Sequence, residues 1–160
     1  VYKLIEMKDR DEKFMSEALC QARLAFEKEE VPVGAVLVVG DNIVARAHNC
    51  VELQGDGTQH AEILCLQQGA KAIGNWRLAN ATMYSTLEPC PMCAGAMIHC
   101  RLSVLVWAAP DLRCGAHGSW INMLDAVHPI HRVQVRKGVL EKEASELMRS
   151  FFRKRRTQGR

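Results

Sequence analysis

The chain has 160 residues, 48% of them hydrophobic and 24% charged, with a formal net charge of +3. This is ordinary globular composition, which argues against a disordered chain, and the length suits one domain with a real core. No apolar run approaches ~18 residues and no charged-then-apolar leader opens the chain, so neither a membrane span nor a signal peptide is expected.

Residues 1–10 mix charged and apolar types without a clear period. From Asp11 to Glu29 the pattern becomes helical, with Phe14, Ala18, Ala22, Ala25 and Phe26 at spacings of three and four. The charged run 27–30 should close that helix on the surface. Val31 to Val39 is apolar on both faces, as in a central strand covered on two sides. Gly40-Asp41-Asn42 is a turn signal, and Ile43 to Asn49 completes a hairpin. Asn49, at that strand's end, is a candidate substrate residue and equally an ordinary turn asparagine. Residues 50–57 read as a loop.

A helix should begin near His60 and stop at Gly69. Ala81 to Thr86 is a third strand, residues 90–100 a helix, and Ser103 to Ala108 a fourth strand. One helix between two strands makes that pair parallel. Residues 110–118 form a loop and Trp120 to Leu124 a short helix. His128 and His131 flank a proline, which favours a loop over a metal pair. Val133 to Val135 is a fifth strand. A last helix starts near Glu141, with Leu140, Ala144, Leu147, Met148, Phe151 and Phe152 as its apolar stripe. The order predicts a three-layer α/β/α domain with a mixed sheet of about five strands. It spans residues 1–160 as one unit, with a basic helix and tail at about 141–160.

The chemistry concentrates in two short stretches. Cys90 and Cys93 stand three apart at a predicted helix start, so both sulfurs can face one point. Pro91 suits the first helical position, and the free amides and dipole of that turn favour thiolates. Two thiolates make half of a zinc site, and His60 is the best third ligand. Glu62 lies about 200° further round the helix than His60, so it is placed as a separate carboxylate rather than a fourth ligand. Together they form H-x-E followed by P-C-x-x-C, the established signature of zinc nucleobase deaminases. With the other cysteines the chain has an odd total of seven, which fits a reducing compartment. Among them Cys20, Cys65 and Cys100 are expected as small buried hydrophobes.

From Leu147 to Arg160 there is no acidic residue, while Arg149, Arg153, Lys154, Arg155, Arg156 and Arg160 share the stretch with Phe151 and Phe152. Cations neutralise phosphates and aromatics stack on unpaired bases, so salt-sensitive RNA binding is expected. The phenylalanines are equally suited to anchoring the helix on the core.

Residues 31–38, His60-Ala61-Glu62, the run Thr86 to Ala96 and Phe151 to Arg156 resemble the bacterial and organellar tRNA-specific adenosine deaminases, of the TadA type. The resemblance runs from about Asp11 to Arg156. It implies the cytidine deaminase-like fold, a homodimer, and conversion of the wobble adenosine of a tRNA anticodon stem-loop to inosine with release of ammonia. It further implies Zn2+ on His60, Cys90 and Cys93, with Glu62 as proton shuttle. Asn49 matches a nucleoside contact, and Asp111 falls in a loop that touches neighbouring anticodon nucleotides. Phe151 and Arg153 are the candidate RNA contacts of the tail. Location would be the bacterial cytoplasm or an organelle such as a plastid. Gln59 and Pro110 depart from the family pattern and bear on substrate context. Two alternatives share some features: a free-base deaminase of guanine or cytosine needs no arginine-rich tail, and a non-catalytic zinc-bearing RNA-binding subunit needs no Glu62. A redox C-x-x-C protein would leave His60 and Glu62 unexplained.

Overall fold

The computed structural model describes residues 1–159. Its elements are α1 (Tyr2–Glu27), β1 (Gly34–Val39), β2 (Asn42–His48), α2 (Val51–Gln54), α3 (Ala61–Ile73), β3 (Ala81–Leu87), α4 (Pro91–His99), β4 (Val104–Ala109), β5 (Gln134–Lys137) and α5 (Glu141–Thr157). They build one mixed sheet of order β2-β1-β3-β4-β5. β1 is antiparallel to both β2 and β3, while β3, β4 and β5 run parallel. The expected three-layer α/β/α arrangement and the parallel β3-α4-β4 unit are both present.

Strand alternation divides the core. On β1, Ala35 and Leu37 face the layer of α3 and α4, where Ala61, Cys65, Leu66, Cys93, Met97 and Ile98 are buried. Val36 and Val38 face the other layer with Phe14, Met15, Ala18 and Leu19 of α1 and Ala144 of α5. Because both faces are covered, the strand reads as a continuous apolar run. A polar staple closes the α1 side. Buried Asp11 accepts two hydrogen bonds from the Arg136 guanidinium at 2.7 and 2.8 Å and one from the Tyr84 hydroxyl at 2.8 Å.

Several expectations are corrected. α1 begins at Tyr2, within the stretch that shows no period, since most of its first turns are exposed and carry no apolar stripe. β1 starts three residues late because Pro32 has no amide to donate and the Val33 amide turns back to Val31 O at 2.8 Å. Residues 51–54, expected as loop, make one helical turn. Gly69 does not stop α3. It lies inside the helix because Leu37 of β1 packs so near that a Cβ there would collide with it, and the stop comes at Gly74, with φ 73°. The helix expected at 120–124 is absent: the amides of Trp120, Ile121 and Met123 bond back to Gly115 O, Gly115 O and Ala116 O, which precludes a helical ladder. Of the charged run after α1, Glu30 is buried rather than solvated. Cys65 is buried as expected, but Cys20 is exposed and Cys100 only half-buried.

Candidate active site

The sheet topology brings the two signature stretches together. His60 is the N-cap of α3 and Cys90 the N-cap of α4, both with extended backbone, and Pro91 takes the first helical position of α4. Two helix N-termini thus converge, offering free amides and positive dipole ends to negative charge. Cys93, one turn into α4, is fully buried.

His60 Nδ1 lies 3.6 Å from Cys90 Sγ and 3.5 Å from Cys93 Sγ, and the three donor atoms all fall within 4.8 Å of one another. A tetrahedral ion with Zn–S of about 2.3 Å and Zn–N of about 2.05 Å requires N-to-S separations of about 3.6 Å. The trio is therefore spaced to hold a metal. It is the one such group of three or more ligands among the described residues. His128 and His131 do not form another: His128 Nδ1 accepts the Ile130 amide at 3.1 Å, and His131 Nε2 contacts Leu102 O at 2.6 Å. The Cys93 thiol donates to Cys90 and so drives the Cys90 pKa far below the usual thiol range, with His60 acting the same way against burial. The Cys93 pKa is correspondingly raised, by that bond and by burial. His60 is raised chiefly by its bond to Cys90. One thiolate is thus already favoured beside the imidazole.

Glu62 is buried on the first turn of α3. Burial pushes its pKa up to about 7, against the lowering effect of its own amide, of His60 and of the Cys93 thiol. Ser85 Oγ lies 3.5 Å from Glu62 Oε1, but its single proton is better placed on Leu87 O at 2.9 Å. The carboxylate's neighbours are thus its own amide and the Cys93 thiol of the metal trio.

His60, Glu62 and Cys90 line a cavity of about 430 Å³. Asn49 lines it as well, its backbone held by the bond from its amide to Val33 O at 3.0 Å. Asp111 lies at the mouth, where its Oδ1 also accepts the amides of Arg113 and Cys114 at 3.1 and 3.2 Å and closes a turn. Of the departures in sequence, Gln59 is turned back on Asp56 at 3.0 Å.

The C-terminal helix splits in two. Phe151 is 3% exposed, in edge contact with Phe26 at 5.6 Å. Its ring has no free face for a base, so the expectation of Phe151 as a stacking contact is corrected: it is the anchor. Phe152, 39% exposed, lines the cavity instead. Lys154 and Arg155 fold back over the rings of Phe26 and Phe151. Arg149, Arg153 and Arg156 line a second groove with Arg113, Met148 and Phe152, and the last three groups connect it to the first cavity. Arg153 pairs there with Glu146 at 2.7 Å.

Glu88 is the residue that sequence reading passed over. It is 1% exposed and holds the loop 111–119 in place. Its oxygens accept the amides of Asp111 at 3.0 Å, His117 at 2.9 Å and Ser119 at 3.2 Å, and the Ser119 hydroxyl. Burial acts to raise its pKa, but these donors together bring it below the ordinary value. A charged residue between Leu87 and Pro89, at the end of a buried strand, was the available signal.

The chain matches the MafB19-like deaminase family over residues 9–156. It is 46% identical to the tRNA-specific adenosine deaminase of Bacillus subtilis, across 92% of this chain and 91% of that protein. It is 47% identical to the chloroplastic tRNA(adenine(34)) deaminase of Arabidopsis thaliana across 94% of this chain, which spans 13% of that protein's length. A structure from a study of A-to-I editing by tRNA:A34 deaminases at the tRNA wobble position superposes with a TM-score of 0.81 at 39% identity, covering 84% of this chain and 98% of that one.

Proposed function

From the premise that this chain belongs to the MafB19-like deaminases and, within them, to the tRNA-specific adenosine deaminases, we propose that it hydrolyses the wobble adenosine of a tRNA anticodon to inosine. The observation that carries this reading is the convergence of His60, Cys90, Cys93 and buried Glu62 on one cavity that opens toward an arginine-lined groove.

His60, Cys90 and Cys93 would hold Zn2+, since two thiolates and an imidazole at tetrahedral spacing suit that ion. When bound, zinc supplies a water whose pKa falls from 15.7 to about 7 and which is thereby readied for attack on C6 of adenine. Glu62 does the proton work. Its carboxylate accepts a proton from the attacking water and delivers it to the ring nitrogen beside C6. It then takes the proton of the new C6 hydroxyl and carries it to the departing amine. One water is consumed, a C6–O bond replaces the C6–N bond, and ammonia leaves. Burial raises the proton affinity of this carboxyl group, which suits it to take a proton and pass it on. Asn49 orients the nucleoside, Asp111 borders the neighbouring nucleotides, and Arg153 with its arginine neighbours meets phosphates.

The chain is read as a single deaminase domain that works as a homodimer in the bacterial cytoplasm or in a plastid. The bacterial and chloroplastic relatives support the location. No helix of the described residues is long and apolar enough to cross a membrane. The test is an inosine assay on an anticodon stem-loop with a wobble adenosine, alongside free adenine, guanine and cytosine. Inosine in the stem-loop alone supports the reading. Ammonia from a free base with an untouched stem-loop overturns it.

A further inference from the structure

A second buried carboxylate faces the cavity. After α1 the backbone passes through a left-handed residue, Glu29 with φ 61°, and the Glu30 amide bonds back to Ala25 O at 2.9 Å. This turn directs Glu30 inward, where it is 1% exposed. Its Oε1 accepts the Leu53 amide at 2.6 Å. Its Oε2 is buried and has no hydrogen-bond partner among the described residues. The side chain lines the same cavity as Asn49, His60 and Glu62. Buried polar atoms in native proteins are nearly always partnered, and leaving one without a partner is costly. An ionised carboxylate only accepts hydrogen bonds, so the group that completes this one is a donor.

Resting on the function proposed above, the donors that the target nucleotide itself can offer are few. In an adenosine inside an RNA chain, the 3′ and 5′ oxygens are esterified, and their phosphates are anions that a carboxylate repels. The base has one N–H donor group, its exocyclic amine, and this must stand at the reacting centre beside Glu62 and the metal ligands. The remaining donor on the target nucleotide is the ribose 2′-hydroxyl, the group that distinguishes RNA from DNA. We propose that Glu30 Oε2 accepts the 2′-hydroxyl of the edited nucleotide, which makes Glu30 a substrate-binding residue that selects ribose over deoxyribose at that position.

The experiment compares two anticodon stem-loops that differ only at the target, one with adenosine and one with 2′-deoxyadenosine. Both are assayed for kcat/KM with the wild type, Glu30→Gln and Glu30→Ala, after melting curves and zinc content have been checked. In the wild type the deoxy substrate should be about 10- to 100-fold poorer, as for loss of a hydrogen bond to a charged group. In Glu30→Ala the ribose substrate should fall by a similar factor and the deoxy penalty shrink to about twofold or less. Glu30→Gln keeps the shape and an acceptor for Leu53 but not the charge, so its penalty should drop to a few-fold; it carries the comparison by itself if Glu30→Ala does not fold. An equal deoxy penalty in wild type and variants, or a wild type indifferent to the 2′-hydroxyl, overturns the assignment while the function stands. A wild type inactive on the ribose stem-loop overturns both.

Discussion

Replacing Glu88 by alanine should release the loop 111–119 while leaving the metal ligands untouched. Four donors now end on this carboxylate: three loop amides and the Ser119 hydroxyl. Gly115 packs so closely on it that a Cβ would collide with its carboxyl group. Each donor left buried without an acceptor costs about 1–3 kcal/mol. Part of the loop is exposed, so two of the four can turn to water, and the net loss should be about 3 kcal/mol at pH 7. The sign with pH is determined by the lowered pKa. The stabilisation is complete above the ordinary value of 4.5 and is lost as pH falls through the depressed folded value. The gap between wild type and Glu88→Ala should therefore be constant near neutrality and narrow in acid below 4.5. Urea unfolding at both pH values measures it, and amide exchange over residues 111–119 reports whether the loop itself has loosened. A loss under about 1 kcal/mol at pH 7 with unchanged exchange protection would refute this account of the loop.

Glu62→Ala should retain one equivalent of zinc by elemental analysis yet lose at least about 100-fold in turnover, whereas Cys90→Ala should lose zinc and activity together; zinc loss in the Glu62 variant would make that residue a ligand. Phe151→Ala should cost about 3–5 kcal/mol in unfolding free energy, because it empties a core site against Phe26, while Phe152→Ala should leave the melting temperature nearly unchanged and weaken RNA binding. Affinity for the stem-loop should fall linearly in log–log plots against salt, and Arg153→Ala or Arg156→Ala should each reduce the slope by about 1. An unaltered slope in both would remove the groove from the phosphate path.

The His60–Cys90–Cys93 cluster was legible in the chain because it depends on residue type at short spacing. His60 with Glu62, and Cys90 with Cys93 after Pro89, each sit on one helix start, where local geometry by itself orients the side chains. Short apolar runs bounded by turn signals likewise identified every strand, and helical period the long helices, since burial imposes those patterns on sequence. The exposed start of α1 escaped for the same reason: a helix that buries nothing there carries no stripe.

What tertiary structure decided is whatever depends on a neighbour distant in sequence. Gly69 reads as a stop until the structure shows the Leu37 side chain of β1 filling the space where a Cβ would stand inside the helix. Phe151 and Phe152 are indistinguishable in sequence; one is core and the other lines the cavity because Phe26 of α1 takes the face of the first. Glu88 and Glu30 look like surface charges by composition. Both are buried, one because a loop 23 to 31 residues away supplies its donors, the other because a left-handed turn directs it into the cavity with one oxygen still unmet. A sequence states which groups can donate and accept, but only the packed chain determines which of them find one another.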